Sequence, residues 1–202
     1  GLTNIGAAIL LRGVLAPSKN NNTPAGKGPT PQLKTNSAYK DKHYLVFIVL
    51  TMLFGCMFFQ NFATLPLFFL RKLHLTPFLI GLVMSLNGMM IAVFEMALVF
   101  KLEQRKRDLR YIIKGALLVG LSFIIFNLLP GAQVLAWVSA IVITIGEMLA
   151  MPFMNAYWVS RTNKDNRGQY AGLYTVAWSV AQVAGPYAGA QIAQYFGFYT
   201  LW

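Results

Sequence analysis

The sequence predicts an all-α membrane protein, a polytopic bundle of hydrophobic helices, on the strength of three observations. Only 11% of the 202 residues are charged, whereas a soluble domain carries about a quarter, and 56% are hydrophobic. Several apolar runs reach the roughly 20 residues with which a helix crosses the hydrocarbon core of a bilayer. The lysine and arginine residues are concentrated in alternate connections between these runs. Most of the chain is therefore expected to lie in lipid.

Five complete membrane-spanning helices are expected, in a C-terminal bundle that covers residues 43–202. The predicted spans are residues 44–70, 77–100, 111–129, 134–158 and 170–193. A further helix is expected to start at residue 198, within the segment GFYTLW. The short connections make successive spans antiparallel neighbours.

The N-terminal part is expected to hold the end of a preceding transmembrane helix and a linker. Residues 1–16 are apolar but short, and no basic segment precedes them, which argues against the alternative of a secretory signal peptide. Residues 17–42 are rich in Asn, Pro, Gly, Thr and Lys, so they cannot bury enough surface to fold alone. Because the sequence also starts without methionine, we expect a fragment of a larger membrane protein.

The net charge of +11 is explained by membrane topology. If the spans alternate in direction, one side receives the connections 17–42, 101–114 and 159–168, and the other receives 71–76, 130–133 and 195–198. The first set contains 14 of the 17 lysine and arginine residues, and the second contains two. Such an excess marks the cytoplasmic side, so we expect a cytoplasmic linker and a multi-pass protein of the inner (plasma) membrane. No nucleic-acid partner is needed to account for the charge.

Metal sites, cofactors and enzymatic activity are not predicted. Cys56 is the only cysteine, which excludes a disulfide framework and a multi-cysteine metal site. His43 and His74 lie at opposite ends of one predicted span, about 46 Å apart along a continuous helix, so they cannot share a metal ion. The sequence contains no phosphate-binding loop, nucleophile elbow or zinc-protease motif.

Two of the six acidic residues lie inside predicted spans, where a charge costs at least about 2.5 kcal/mol. Glu95 precedes Lys101 by six residues and could reach the basic connection as a structural latch. Glu147 lies near the middle of its span, with no basic residue at that depth. Burial favours the neutral form of its carboxyl group, so Glu147 could bind and release a proton as access to water changes. A structural hydrogen bond to a neighbouring helix is the alternative.

Helical spacing places Glu147 on one face of its helix together with polar, methionine and aromatic side chains. The residues on this face are Thr144, Met151, Asn155 and Trp158. Comparable stripes contain Gln60 and Asn61 in the first span and Gln182 in the fifth. Three such helices could line a solvated cavity for an organic solute, or the amides could form hydrogen bonds between helices.

The fifth span also carries small and helix-breaking residues. Gly185 and Gly189 have the spacing that lets two helices approach closely in a membrane. Pro186 frees a backbone carbonyl and can act as a structural bend or as a gating hinge.

Five segments along the chain resemble the C-terminal half of a major facilitator superfamily transporter, most closely its bacterial multidrug-efflux branch. These segments are FFQNFATLPLFF, IGLVMSLNGMMIAVFE, GEMLAMP, RGQYAGLY (with Arg167 and Gly168) and AGPYAG. The resemblance covers nearly the whole chain and implies the C-terminal six-helix half of a twelve-helix fold. It implies a substrate held between two halves and exposed alternately to each side, with the missing N-terminal half as a partner.

Two segments depart from the family pattern. AQVAGPYAG is similar to the family's antiporter motif, but it occupies the eleventh helix instead of the fifth. KLEQRKRDLR keeps the charge of the family's basic loop without its glycines, and it could latch the cytoplasmic side through Glu95, Arg105 and Asp108.

The combined interpretation is a secondary active transporter that exports amphiphilic small molecules in exchange for protons. A proton-coupled importer of a sugar, peptide or organic anion, or a non-transporting receptor or subunit, are the alternatives. Glu147 is the predicted proton-coupling residue, and the predicted substrate contacts are Gln60, Asn61, Met151, Asn155, Trp158 and Gln182. The residues assigned to gating or structure are Glu95, Arg105, Asp108, Arg167, Gly168, Gly185, Pro186 and Gly189.

Overall fold

A computed structural model describes residues 37–104, 108–128 and 131–202. The predicted helix end at 1–16, most of the linker 17–42 and Arg105 lie outside the described residues. Within the described ranges, a 3-10 turn, Ala38–Lys40, precedes six α-helices. The helices are α1 Lys42–Arg71, α2 Pro77–Glu103, α3 Asp108–Leu128, α4 Val134–Ser160, α5 Arg167–Tyr195 and α6 Phe198–Leu201. The described ranges contain no β-strand, and the predicted all-α helical bundle is confirmed.

Side-chain caps and left-handed residues set the ends of the helices. Asp41 accepts a hydrogen bond from the Tyr44 amide at 3.1 Å and caps α1. Thr76 caps α2 in the same way, and Pro77 occupies its first turn, where a missing N–H costs nothing. Glycines with positive φ, Gly131 and Gly197, make the turns into α4 and α6.

Four of the helices, α1 to α4, are long and apolar enough to cross a membrane. The 29-residue α5 is also long enough, but four glutamines and four glycines make it less apolar than the others. Its transmembrane position therefore stays a prediction.

Small residues bring two pairs of helices into close contact. In the pair α3/α4, a Cβ atom on Gly115 would lie 2.5 Å from the carbonyl oxygen of Gly146. In the pair α1/α5, a Cβ atom on Gly185 would lie 2.9 Å from the backbone of Cys56. The remaining long helix, α2, packs on α4, but only one of its residues, Val83, is buried. The bundle thus combines two tight pairs with one loosely packed helix.

A polar cluster joins the start of α1, the end of α4 and the start of α5 at one end of the bundle. Arg161 donates hydrogen bonds to Asp41 through Nε at 3.0 Å and Nη2 at 2.7 Å, and Tyr170 donates its hydroxyl at 3.0 Å. Burial alone would raise the pKa of Asp41, but these donors and the Tyr44 amide outweigh it and hold the pKa below 3.8. The charged pair therefore persists at neutral pH.

Candidate functional site

Glu147 is the central residue of α4 and is buried, with 2% of its surface exposed. The residue before it, Gly146, is the point where α4 touches α3, since a Cβ atom there would lie 2.8 Å from the carbonyl oxygen of Gly115. The close contact with α3 fixes the backbone on one side of the carboxyl group. Its side chain extends from a rigid part of the helix.

Amides from two other helices hold the carboxyl group of Glu147. Asn87 of α2 donates from Nδ2 to Oε2 at 2.8 Å, and Asn61 of α1 donates from Nδ2 to Oε1 at 3.3 Å. The same Asn87 nitrogen donates to Oγ1 of Thr144 at 2.9 Å. Each carboxyl oxygen thus accepts one amide hydrogen, which offsets part of the cost of burying it.

A groove of about 570 Å³ between α1, α2 and α4 reaches this carboxyl group. Aromatic, methionine and other apolar side chains form most of its surface: Phe58, Phe62, Ile91, Met96, Val99, Met148, Met151 and Pro152. Four polar side chains, Asn87, Glu95, Glu147 and Asn155, interrupt that surface. None of the described residues that line it is a lysine, arginine or histidine. The groove has the size and composition of a small-molecule site.

A larger groove of about 1070 Å³ lies between α1 and α3, with Met154 and Tyr157 of α4 also in its lining. Aliphatic and aromatic side chains form most of its lining, and Lys42 and His43 lie at one end. Its lining contains no buried carboxyl or amide side chain of the described residues that could orient a solute. We therefore take the smaller groove beside Glu147 as the candidate functional site.

Three of the predicted substrate contacts lie close to Glu147. Asn61 donates to its carboxyl group, and Met151 and Asn155 line the groove. Trp158 lies one turn further along α4, where its Nε1 donates to Oδ1 of Asn155 at 3.2 Å. Helical spacing alone predicts this shared face.

Gln60 and Gln182 are placed differently. Gln60 donates from Nε2 to the carbonyl oxygen of Gly185 at 2.6 Å, and its Oε1 accepts from the hydroxyl of Thr64 at 2.6 Å. Gly189 packs so closely on the Gln60 amide that it has no room for a side chain. The amide nitrogen of Gln60 therefore bonds across to α5, and its amide oxygen bonds within α1, since Thr64 is a residue of the same helix. Gln182 is exposed on α5, outside the lining of the groove.

The residues assigned to gating are distributed over the bundle. Glu95 lines the groove, and within the described ranges it forms no ion pair. Asp108 begins α3, and Arg167 begins α5 with its side chain exposed. A Cβ atom on Gly168 would meet no described atom within 4 Å, so this glycine does not mediate a helix contact there. Pro186 lies inside α5, one residue after the contact at Gly185.

Asn87 is the site residue that sequence reasoning missed. The sequence feature that could have identified Asn87 is an amide side chain inside an apolar span. It lies four residues before Ile91 and eight before Glu95, which is helical spacing, and both of these residues also line the groove. Within the described ranges, no group of three or more His, Cys, Asp or Glu side chains could hold a metal ion.

Long apolar helices around a buried, hydrogen-bonded carboxyl group and a solute-sized groove are typical of a membrane transporter. The family model for the Major Facilitator Superfamily matches residues 1–186, and the chain belongs to this family of membrane transporters. The superfamily resemblance seen in the sequence is thereby confirmed. No curated protein matches the chain.

Proposed function

We propose that this protein is a proton-coupled secondary active transporter that exports amphiphilic small molecules by alternating access. The observation that carries the proposal is the carboxyl group of Glu147, which is buried at the centre of α4 and lies on a solute-sized groove. An ionisable group at such a depth is costly and is found where ions, protons or substrates pass.

Glu147 would couple transport to the proton gradient by changing its charge. In the ionised form it accepts hydrogen bonds from Asn61 and Asn87. When it takes a proton, the charge disappears and the cost of enclosing the group in an apolar bundle falls. Proton binding and substrate binding would thus favour different conformations, which is the requirement for coupled exchange.

The groove favours an amphiphilic substrate. Phe58, Phe62 and the three methionines offer a soft, adaptable apolar surface, and methionine-rich surfaces accept ligands of different shapes. Asn155 and the carboxyl groups offer polar contacts at the same surface. We assign Asn61, Met151, Asn155 and Trp158 to substrate contact, and we assign Gln60 to helix packing.

The membrane placement and the partner also belong to this proposal. The asymmetry of the basic connections supports an inner-membrane protein with linker 17–42 in the cytoplasm. The branch we propose is multidrug efflux, with this chain as the C-terminal half. The N-terminal half of the same protein would close the open side of the groove between α1, α2 and α4.

The test is transport by the complete protein in proteoliposomes with an imposed pH gradient and a fluorescent amphiphile. We expect Glu147→Gln to reduce proton-driven flux at least about tenfold, because the amide cannot exchange a proton. Glu103→Gln is the matched control, since Glu103 is an exposed residue at the end of α2. Undiminished flux in Glu147→Gln would remove the proton role.

Transport assays in cells, together with the proteoliposome assay, separate the other candidate functions. Collapse of the gradient should raise the amount of substrate retained in cells by an exporter and lower it for an importer. A protein that binds the amphiphile in detergent but gives no flux in proteoliposomes would be a receptor or subunit.

A further inference from the structure

We infer that Asn87 is the positioning residue of Glu147: it occupies Oε2 and leaves Oε1, opposite Asn61, as the atom that takes the proton. The inference rests on the proposed proton role of Glu147. It concerns how the chain selects one of two chemically equivalent oxygen atoms.

The orientation of the Asn87 amide is fixed by Thr144. The Thr144 hydroxyl donates its own hydrogen to the carbonyl oxygen of Ala140 at 2.6 Å, so toward Asn87 it can only accept. One Asn87 amide hydrogen goes to Thr144 at 2.9 Å and the other to Oε2 of Glu147 at 2.8 Å. A flipped amide would bring its oxygen against two acceptors. Asn87 is therefore held as a donor.

Asn61 has no such constraint. Among the described residues its side chain makes a single hydrogen bond, the 3.3 Å contact with Oε1 of Glu147. A longer bond stabilises the ionised oxygen less than the 2.8 Å bond on the other side. Rotation of the Asn61 amide by half a turn would present its own oxygen to Oε1 without loss of another described bond.

Protonation requires such an acceptor. A neutral carboxyl group carries one O–H donor, and this hydrogen must find an acceptor when the group is buried. At Oε2 the hydrogen would point at the N–H of Asn87, while at Oε1 it can point at the rotated Asn61 oxygen. The proton is therefore taken at Oε1, and Oε2 becomes the carbonyl oxygen that still accepts from Asn87.

Charged neighbours do not remove this difference between the two oxygens. Glu95 of α2 is the one charged side chain of the described ranges that interacts electrostatically with Glu147. No described charged group of α1, α3 or α5 does so. Glu95 is expected to change how readily the whole carboxyl group of Glu147 takes a proton. The amides of Asn87 and Asn61 determine which of its two oxygen atoms carries that proton.

Infrared difference spectroscopy of the complete reconstituted protein, titrated with pH, tests the inference. The carbonyl stretch of the protonated carboxyl group of Glu147 is the band that vanishes in Glu147→Gln. In Asn87→Ala we expect this band to move to higher frequency, because the carbonyl oxygen Oε2 loses its donor. Its titration midpoint should rise by about one pH unit, because the ionised form also loses its stronger hydrogen bond. Thr144→Val, which keeps Asn87 but frees its amide, should change the midpoint in the same direction.

Two further variants complete the design. Asn61→Ala should leave the band near its original frequency, because Asn87 still donates to Oε2. Asn155→Ala is the matched control, since Asn155 lies on the same groove without contacting Glu147, and it should change neither frequency nor midpoint.

The possible failures are distinguishable. If a Glu147 band titrates but Asn87→Ala and Thr144→Val leave it unchanged, the positioning role of Asn87 is wrong. The same holds if Asn61→Ala alone raises the frequency, since the two oxygens would then have exchanged roles. If no band assigned to Glu147 titrates in any form of the protein, the proposed proton function itself fails.

Discussion

The helices α4 and α2 lie side by side, yet they are held in the bundle in different ways. In α4, 56% of the most apolar 18-residue stretch is buried, and in α2 only 11%. The first helix has twelve buried residues, and the second has Val83 alone. Within the described ranges, the hydrogen bonds of Asn87 are the only side-chain bonds that join α2 to another helix.

We infer from this difference that α4 sets the geometry of the site and that the position of α2 depends on its bonds to α4. The contact of Gly146 with α3 fixes the part of α4 that carries Glu147. By contrast, the side-chain hydrogen bonds that join α2 to that part of α4 within the described ranges come from Asn87 alone and go to Thr144 and Glu147. The two hydrogen bonds of Asn87 are therefore expected to matter more for α2 than any one bond of α4 does for its own helix.

The largest effect is expected from a methyl group in the tight pair. Gly115→Ala would place a Cβ atom 2.5 Å from the Gly146 carbonyl oxygen and 2.7 Å from the Ala150 amide nitrogen, which are backbone atoms that cannot rotate away. We expect a loss of about 3 kcal/mol in the free energy of unfolding, measured in detergent with a denaturant series. Gly88→Ala on α2 is the control, since no described atom lies within 4 Å of its Cβ position. If both variants are equally stable, the two helices are not packed as differently as described.

An intermediate effect on stability is expected when the hydrogen bonds between Asn87 of α2 and α4 are removed. Asn87→Ala should cost about 1 kcal/mol, the usual scale of a hydrogen bond between membrane helices. Amide hydrogen exchange should then become about fivefold faster along α2 and stay unchanged along α4, as followed by mass spectrometry. Asn155→Ala should leave exchange in α2 unaltered, because the described bond of Asn155 is to Trp158 of its own helix. Equal acceleration in α2 and α4 would mean that Asn87 supports the whole bundle.

The all-α fold class could be predicted from the sequence, because long apolar runs separated by charged connections are typical of helices that cross a membrane. The observed ends differ by a few residues, since caps lie outside the apolar runs. Asp41 caps α1 and starts it at Lys42, where the sequence predicted 44, and α4 continues to Ser160, where it predicted 158. The first end depends on the side chain of Asp41 and the second on the backbone N–H of Arg161, and neither is visible in hydropathy.

The site was predictable only in part. Glu147, Met151 and Asn155 share a face through helical spacing alone, so one helix of the site follows from the sequence. Spacing does not show which neighbouring helix meets that face, and for this reason Asn87 was missed. The same limit applies to Gln60, whose amide could serve a cavity or a helix contact. The glycines of α5 decide this, because they let α1 approach until Gln60 reaches the Gly185 carbonyl oxygen.

The smallest effect is expected at the ends of the helices, where α4 is again the better anchored. Arg161 follows α4 and pairs with Asp41, whereas Gln104 at the end of α2 is exposed. The pKa of Asp41 is held below 3.8, so its contribution is fully present above that pH and is lost as the pH falls through the lowered value. Asp41→Asn should lower stability by about 0.5 kcal/mol at neutral pH, because the pair is partly exposed, and the difference from the unaltered protein should vanish once the pH is below the lowered pKa. Thermal unfolding from neutral pH into this acid range measures the difference, with Asp165→Asn, an exposed residue in the connection between α4 and α5, as the control. A difference that persists in acid would mean that Asp41 stabilises the bundle through a contact that does not depend on its charge.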